Sequence, residues 1–337
     1  ECSDDKTGGT VPPDPGPEPE VPTLATSLAF GVPSVEFPSG GKTVDVAVVA
    51  EGGEWAVAET PDWLAVTPGE GKVTLTADDN RRGSLRSGKL RITGAENVEA
   101  SLDVSQGNGA LILRLEVEAP ATVAAIPLHG QVSCTIDWGD GAVESIDAKI
   151  DGLGIGHPSH EYAAAGTYRV SVSGTVPSLS SIKLTDDQAL RLKAVEAWGA
   201  TGLEKMQYAF YRCAALESIP SPGPEAPFAR VTTFSKAFDS CDALREIPAD
   251  LFAGCTELTD LSSCFNDCDA LKSIPEHLLD DCTGVEKLSS IFAYCRGLES
   301  VPGRLFAACS KVTDLGYLFT ACESLRTIPA DLFAGCS

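Results

Sequence analysis

Apolar and polar residues alternate with a period of two in several short stretches of the first hundred residues. Val44, Val46 and Val48 interleave with Asp45 and Ala47, Val73 and Leu75 with Thr74 and Thr76, and Leu90 and Ile92 with Arg91. Between them lie Ser39-Gly40-Gly41, Glu51-Gly52-Gly53, Pro68-Gly69-Glu70-Gly71 and Arg86-Ser87-Gly88. Short alternating runs punctuated by turn residues predict a β-sandwich over residues 24–107. A second alternating run, Leu111, Leu113, Leu115 and Val117 against Ile112, Arg114 and Glu116, opens another β unit over 108–176. There Asp140-Gly141 is a tight-hairpin signal, because glycine supplies a positive φ without steric cost.

From residue 177 to 337 the pattern changes to a long-period repeat. Apolar-x-x-apolar-x-x-x-Phe-x-x-Cys occurs five times, ending on Cys213, Cys241, Cys268, Cys295 and Cys322. Each copy is followed by Leu-x-x-Ile/Val-Pro, closing on Pro220, Pro248, Pro275, Pro302 and Pro329. The step from Cys241 to Cys268, Cys295 and Cys322 is 27 residues, and Cys255, Cys282, Cys309 and Cys336 keep it. A fixed period with apolar positions held predicts a solenoid, each unit giving a short strand, a Pro stop and a helical return. The Pro-rich insert at 221–229 interrupts the first step and is expected to bulge as a surface loop. The fold class expected from the whole pattern is therefore two immunoglobulin-like β-sandwiches followed by an α/β leucine-rich-repeat solenoid.

Three resemblances give these segments names. Trp55, Pro61-Asp62-Trp63-Leu64, Asn80, Arg86-Ser87-Gly88 and Val104-Ser105-Gln106 resemble the BACON domain, a Bacteroidetes carbohydrate-associated sandwich. Trp138-Gly139-Asp140-Gly141, followed by Gly166-Thr167-Tyr168, resembles the PKD domain. The repeat, with its Leu-x-x-Ile, Pro and Ala-Phe-x-x-Cys, is similar to BspA-like leucine-rich repeats, although its units are several residues longer and most carry a second Cys. The BACON resemblance offers Trp55 and Trp63 as sugar platforms, whereas a Trp in a small sandwich is usually core, and both are expected there.

Composition narrows the function. Lys and Arg total 25 against 48 Asp and Glu, a formal charge of -23. Such a balance argues against a nucleic-acid partner, since phosphates would be repelled, and favours a soluble monomer. Cys2, followed by Ser3-Asp4-Asp5 and a Pro/Gly/acidic stretch over 1–23, looks like the acylated residue and tether of a Bacteroidetes surface lipoprotein. That reading makes Cys2 the lipid-attachment residue, places the chain on the outer membrane, and makes the bilayer a partner only through the acyl anchor.

Candidate chemistry is sparse. His157-Pro158-Ser159-His160-Glu161 imitates a zinc motif, but Pro158 forbids the helical face such motifs need. Gly152-x-Gly154-x-Gly156 lacks the basic residue and Ser/Thr-led helix of a phosphate loop. Asp137 and Asp140 suit turn chemistry better than calcium. Ten of the twelve Cys lie in the repeat block, where reduced, buried thiols filling one slot per unit are expected; bridges between neighbouring units remain geometrically open. Neither catalysis, a cofactor nor a metal is expected. The expected function is surface adhesion to host or extracellular-matrix proteins through the repeats, with glycan capture as the alternative.

Overall fold

A computed structural model describes residues 23–78, 80, 86–95, 98–107, 109–151 and 156–336. Cys2, the tether up to residue 22, and Gly152 and Gly154 lie outside the described residues. The first eight strands are β1 (Ser27–Phe30), β2 (Ser34–Phe37), β3 (Lys42–Glu51), β4 (Ala56–Glu59), β5 (Leu64–Gly69), β6 (Lys72–Ala77), β7 (Arg86–Thr93) and β8 (Glu99–Gln106). They form two four-stranded sheets, ordered β1-β3-β6-β5 and β2-β8-β7-β4. Alternation along β3 and β6 buries Val46, Val48, Val73 and Leu75, while Lys72 and Thr74 reach Asp45 on the wet face.

The next strands are β9 (Leu111–Val117), β10 (Thr122–Ala125), β11 (Leu128–Asp137), β12 (Val143–Ile150), β13 (Ser159–Tyr162), β14 (Gly166–Thr175) and β15 (Ser178–Leu179). A five-residue helix α1 (Asp186–Leu190), with a Thr185–Gln188 capping box, leads into β16 (Leu192–Ala197). The main sheet runs β12-β11-β14-β9-β16, with β15 pairing on β11, and β10 pairs with β13 separately. β16 comes from the segment read as repeat, so that segment begins inside this sheet. One continuous apolar core extends from Leu111 of β9 to Leu332 in the last repeat.

The expected α/β leucine-rich-repeat solenoid does not form. The chain is nearly all β, 37% strand against 3% helix, and no sheet is closed or solenoid-like. Past β16 the repeats contain turns and isolated parallel bridges, such as Thr233 with Asp260, Asp260 with Lys287 and Lys287 with Asp314. The cause lies in the backbone. A helix needs consecutive residues at negative φ, each N–H bonding four residues back. Here Tyr208, Lys236, Ser263, Ser290 and Tyr317 all sit at φ between 54° and 60°. Four residues further on, Arg212, Ser240, Asp267, Tyr294 and Ala321 are left-handed too.

Those reversals divide the amide hydrogens between two directions. Ser263 N–H donates to Ser289 O, and Phe265 N–H to Ile291 O, one unit ahead. The intervening Cys264 and Asn266 donate within their own unit, to Leu261 O and Ser263 O. Successive units therefore meet through backbone bonds without making either a helix or a long strand. The phenylalanines follow the same step: Phe210, Phe238, Phe265, Phe292 and Phe319 stack in series, centroids 5.3–6.1 Å apart and planes within 7°. Each such pair contributes about 0.5–1.5 kcal/mol beyond its buried area.

The cysteines complete this interior. Among the described residues all eleven are free thiols. Cys241, Cys268, Cys295 and Cys322 each direct Sγ–H at the carbonyl of a phenylalanine in the preceding unit, Phe210, Phe238, Phe265 and Phe292, at 3.0–3.2 Å. Burial holds these thiols protonated, pushing Cys295 up to about 12. Cys at this position fills a small slot and satisfies a carbonyl of its neighbour.

Candidate binding sites

At the Trp138 turn the side chains that imitated a metal site are bound to one another. Asp137 Oδ1 accepts from Gly139 N–H at 2.9 Å and Asp140 Oδ1 from Ala142 N–H at 3.0 Å. His160 Nε2 lies 2.8 Å from Asp140 Oδ2, and its ring stacks on buried Trp138 with centroids 5.3 Å apart. Tyr162 Oη donates to Trp138 O at 2.9 Å. His157 turns elsewhere, with Nδ1 3.1 Å from Leu128 O, and its burial lowers its pKa. The two histidines thus serve different elements. The His160 imidazole, the Asp140 carboxylate and a glycine at φ 82° build the turn between β11 and β12.

The residues carrying the BACON resemblance also form a network. Gln106 is fully buried; its Nε2 donates to Pro38 O and Asp78 O at 2.8 and 2.7 Å, and Oε1 accepts from Arg86 Nε at 2.8 Å. Asn80 Nδ2 donates to Gly107 O at 3.1 Å. The two tryptophans depart from expectation, since neither Trp55 nor Trp63 is in the core. Both are half-buried, because Leu64, Val73 and Leu75 already fill the interior between these sheets. Trp55 lines a cleft of about 500 Å³ with Gly53, Glu54 and the Pro68–Gly71 turn.

The repeats present polar columns outward. Immediately after the Cys of successive units stand Asp242, Asp269, Arg296 and Glu323. Arg296 Nη1 approaches Asp267 at 3.2 Å and Asp269 at 2.9 Å, with Glu323 at 4.0 Å from its Nε. Burial and then the neighbouring Asp267 and Asp269 push the Asp242 carboxyl above its ordinary value. Asp239, buried beside them, accepts from Asn266 Nδ2 at 3.0 Å. No group of three or more His, Cys, Asp or Glu arranged to hold a metal occurs among the described residues.

No protein-family model and no curated protein matches the chain. Its chemistry is read from its own residues. The Pro-rich insert, expected to bulge as a surface loop, is exposed only in part: it buries Phe228 in the core and is tied down at Glu225. Glu225, from its short 3₁₀ turn, accepts from Ser39 N–H at 2.5 Å and Ser39 Oγ–H at 3.1 Å. Nothing in the repeat pattern signals this contact, which joins residues 186 positions apart.

Proposed function

We propose that the chain is a non-catalytic binding protein that engages other proteins through the outward columns of its stacked repeats. The observation that carries this reading is the division of labour within each unit. Phe265, Cys268 and Leu271 and their equivalents are buried in the first four copies and partly buried in the last, while the position after the Cys changes from Asp to Arg to Glu. A fixed frame with substitutable outward side chains can evolve contacts without disturbing its core. The Asp242, Asp267 and Asp269 carboxylates outnumber the Arg296 guanidinium, so the partner surface that fits is basic. The test is binding of the full chain to immobilised matrix proteins and glycans, alone and with Asp242→Lys and Asp269→Lys together. Protein capture that falls with added salt and is lost in the double variant is the expected result. Capture unaffected by both salt and substitution would overturn it.

A second reading, glycan capture, is supported by Trp55, whose half-buried ring lines the cleft beside the Pro68–Gly71 turn. Trp55→Ala abolishing glycan retention while protein capture persists would assign the two activities to different sites.

A further inference from the structure

A second cleft, of about 450 Å³, opens where β11 and β15 meet the first repeat. It is lined by His129, Pro177, Ser180, Ile182, Lys205, Gln207 and Tyr208, among others. Several of its polar side chains have no protein partner among the described residues. Those of His129, Lys205, Gln207 and Tyr208 make no hydrogen bond or ion pair among the described residues. The Ser180 hydroxyl has no protein partner among the described residues either, and it reaches the cleft although the residue as a whole is only 6% exposed. Groups left without a protein partner around a cleft can bond either water or a ligand that enters it. In contrast, Glu204 at the rim is already engaged by Arg230.

The frame around these groups is fixed. Tyr208 is held at φ 60°, and its carbonyl accepts from both Ser181 N–H at 2.8 Å and Ser181 Oγ–H at 3.2 Å. Its ring packs edge-on against Tyr211 with centroids 5.6 Å apart. Lys205 is positioned by the parallel bridge between Ser178 and Lys205. The cleft therefore offers an aromatic ring and the apolar surfaces of Pro177 and Ile182. Beside these stand one hydroxyl, one amide, one imidazole and one free ammonium.

We infer that this cleft binds a carboxylated sugar, a hexuronate-type residue. The ring faces of Tyr208 and Pro177 suit the C–H face of a pyranose. Ser180, Gln207 and His129 suit its hydroxyls, and Lys205 takes the carboxylate. Lys205 has no protein partner among the described residues, while the Glu204 carboxylate of the same lining is engaged by Arg230. The site is separate from the Asp242–Arg296 face, so it stands or falls independently of the protein-binding reading.

Calorimetric titration of the full chain with methyl glucuronide, methyl glucoside and propionate tests it. The glucuronide is expected to bind saturably, and the glucoside about tenfold more weakly, the loss of one charge-assisted hydrogen bond. Propionate alone should not saturate. Lys205→Ala should weaken the glucuronide about tenfold and leave the glucoside unchanged. Ser180→Ala should weaken both sugars. If the melting curve shows that Ser180→Ala disturbs the fold, Lys205→Ala, whose side chain is exposed, carries the test. Absence of saturable glucuronide binding, equal affinity for propionate, or indifference to Lys205→Ala would each overturn the assignment.

Discussion

Single residues in this chain are decided by whether their polar atoms find partners. Gln106 is the clearest example, because all of its amide is used: two donations to the carbonyls of Pro38 and Asp78, and acceptance from Arg86. Replacing it by Leu would keep much of the volume but take one donor from each of the Pro38 and Asp78 carbonyls and an acceptor from the Arg86 guanidinium. We expect Gln106→Leu to lower unfolding free energy by about 2 kcal/mol, measured by urea titration. A shift of a few tenths would show that water replaces the amide. The residue scale is also where sequence and structure part most often. Trp55 and Trp63 carry the side chain most suited to a core, yet they stay half-buried, while the smaller Leu64, Val73 and Leu75 are the buried residues. The Cys slots, by contrast, were legible as small apolar positions. Their Sγ–H bond to a phenylalanine carbonyl was not, since it depends on how one unit sits on the next.

At the scale of elements, the strands and the 27-residue step were legible in the pattern, while the helical return was not. The strands reveal themselves because alternation reports burial directly. The return hides because Tyr208, Lys236, Ser263, Ser290 and Tyr317 are not residue types that advertise a left-handed backbone, as Gly or Asn would. Tertiary contacts impose that conformation: the reversed peptides let Ser263 and Phe265 donate to the next unit. Holding a non-glycine residue there costs roughly 1–2 kcal/mol, which the inter-unit bonds offset. Substitution at Ser263 separates these effects. Ser263→Gly removes the steric cost and is expected to raise stability by up to about 1 kcal/mol, less the extra freedom of glycine when unfolded. Ser263→Val adds a β-branch to the same strained geometry and should destabilise by more than about 1 kcal/mol. Urea midpoints in the order Gly, Ser, Val would support the account; Val at or above Ser would refute it. The candidate clefts were least legible of all. Lys205, Gln207 and Ser180 become neighbours of His129 only once β15 has paired with β11.

For the molecule as a whole, the thiols set a limit on the pH range of the fold. Burial pushes Cys213, Cys255, Cys295 and Cys309 each up to about 12 from an ordinary value of 9.0. Cys241 and Cys268 are raised in the same direction by burial and by their neighbouring thiols. The sign follows from which state holds the proton. Below about pH 9 both folded and unfolded chains keep their thiols protonated, and the full contribution to stability is present. Above it the unfolded chain releases protons that the folded chain retains, so stability falls until the folded values near 12 are reached. Each such thiol adds a slope of about 1.4 kcal/mol per pH unit in that window, and several act together. The urea midpoint is therefore expected to hold steady through neutral pH and to drop steeply between about pH 9 and about pH 10.5. The double variant Cys268→Ser, Cys295→Ser removes two of the titrating groups while keeping a donor to the Phe238 and Phe265 carbonyls, and should flatten that drop. This comparison separates the cysteines from Tyr162, whose buried hydroxyl is shifted in the same direction. An unchanged slope in the double variant would place the alkaline transition elsewhere.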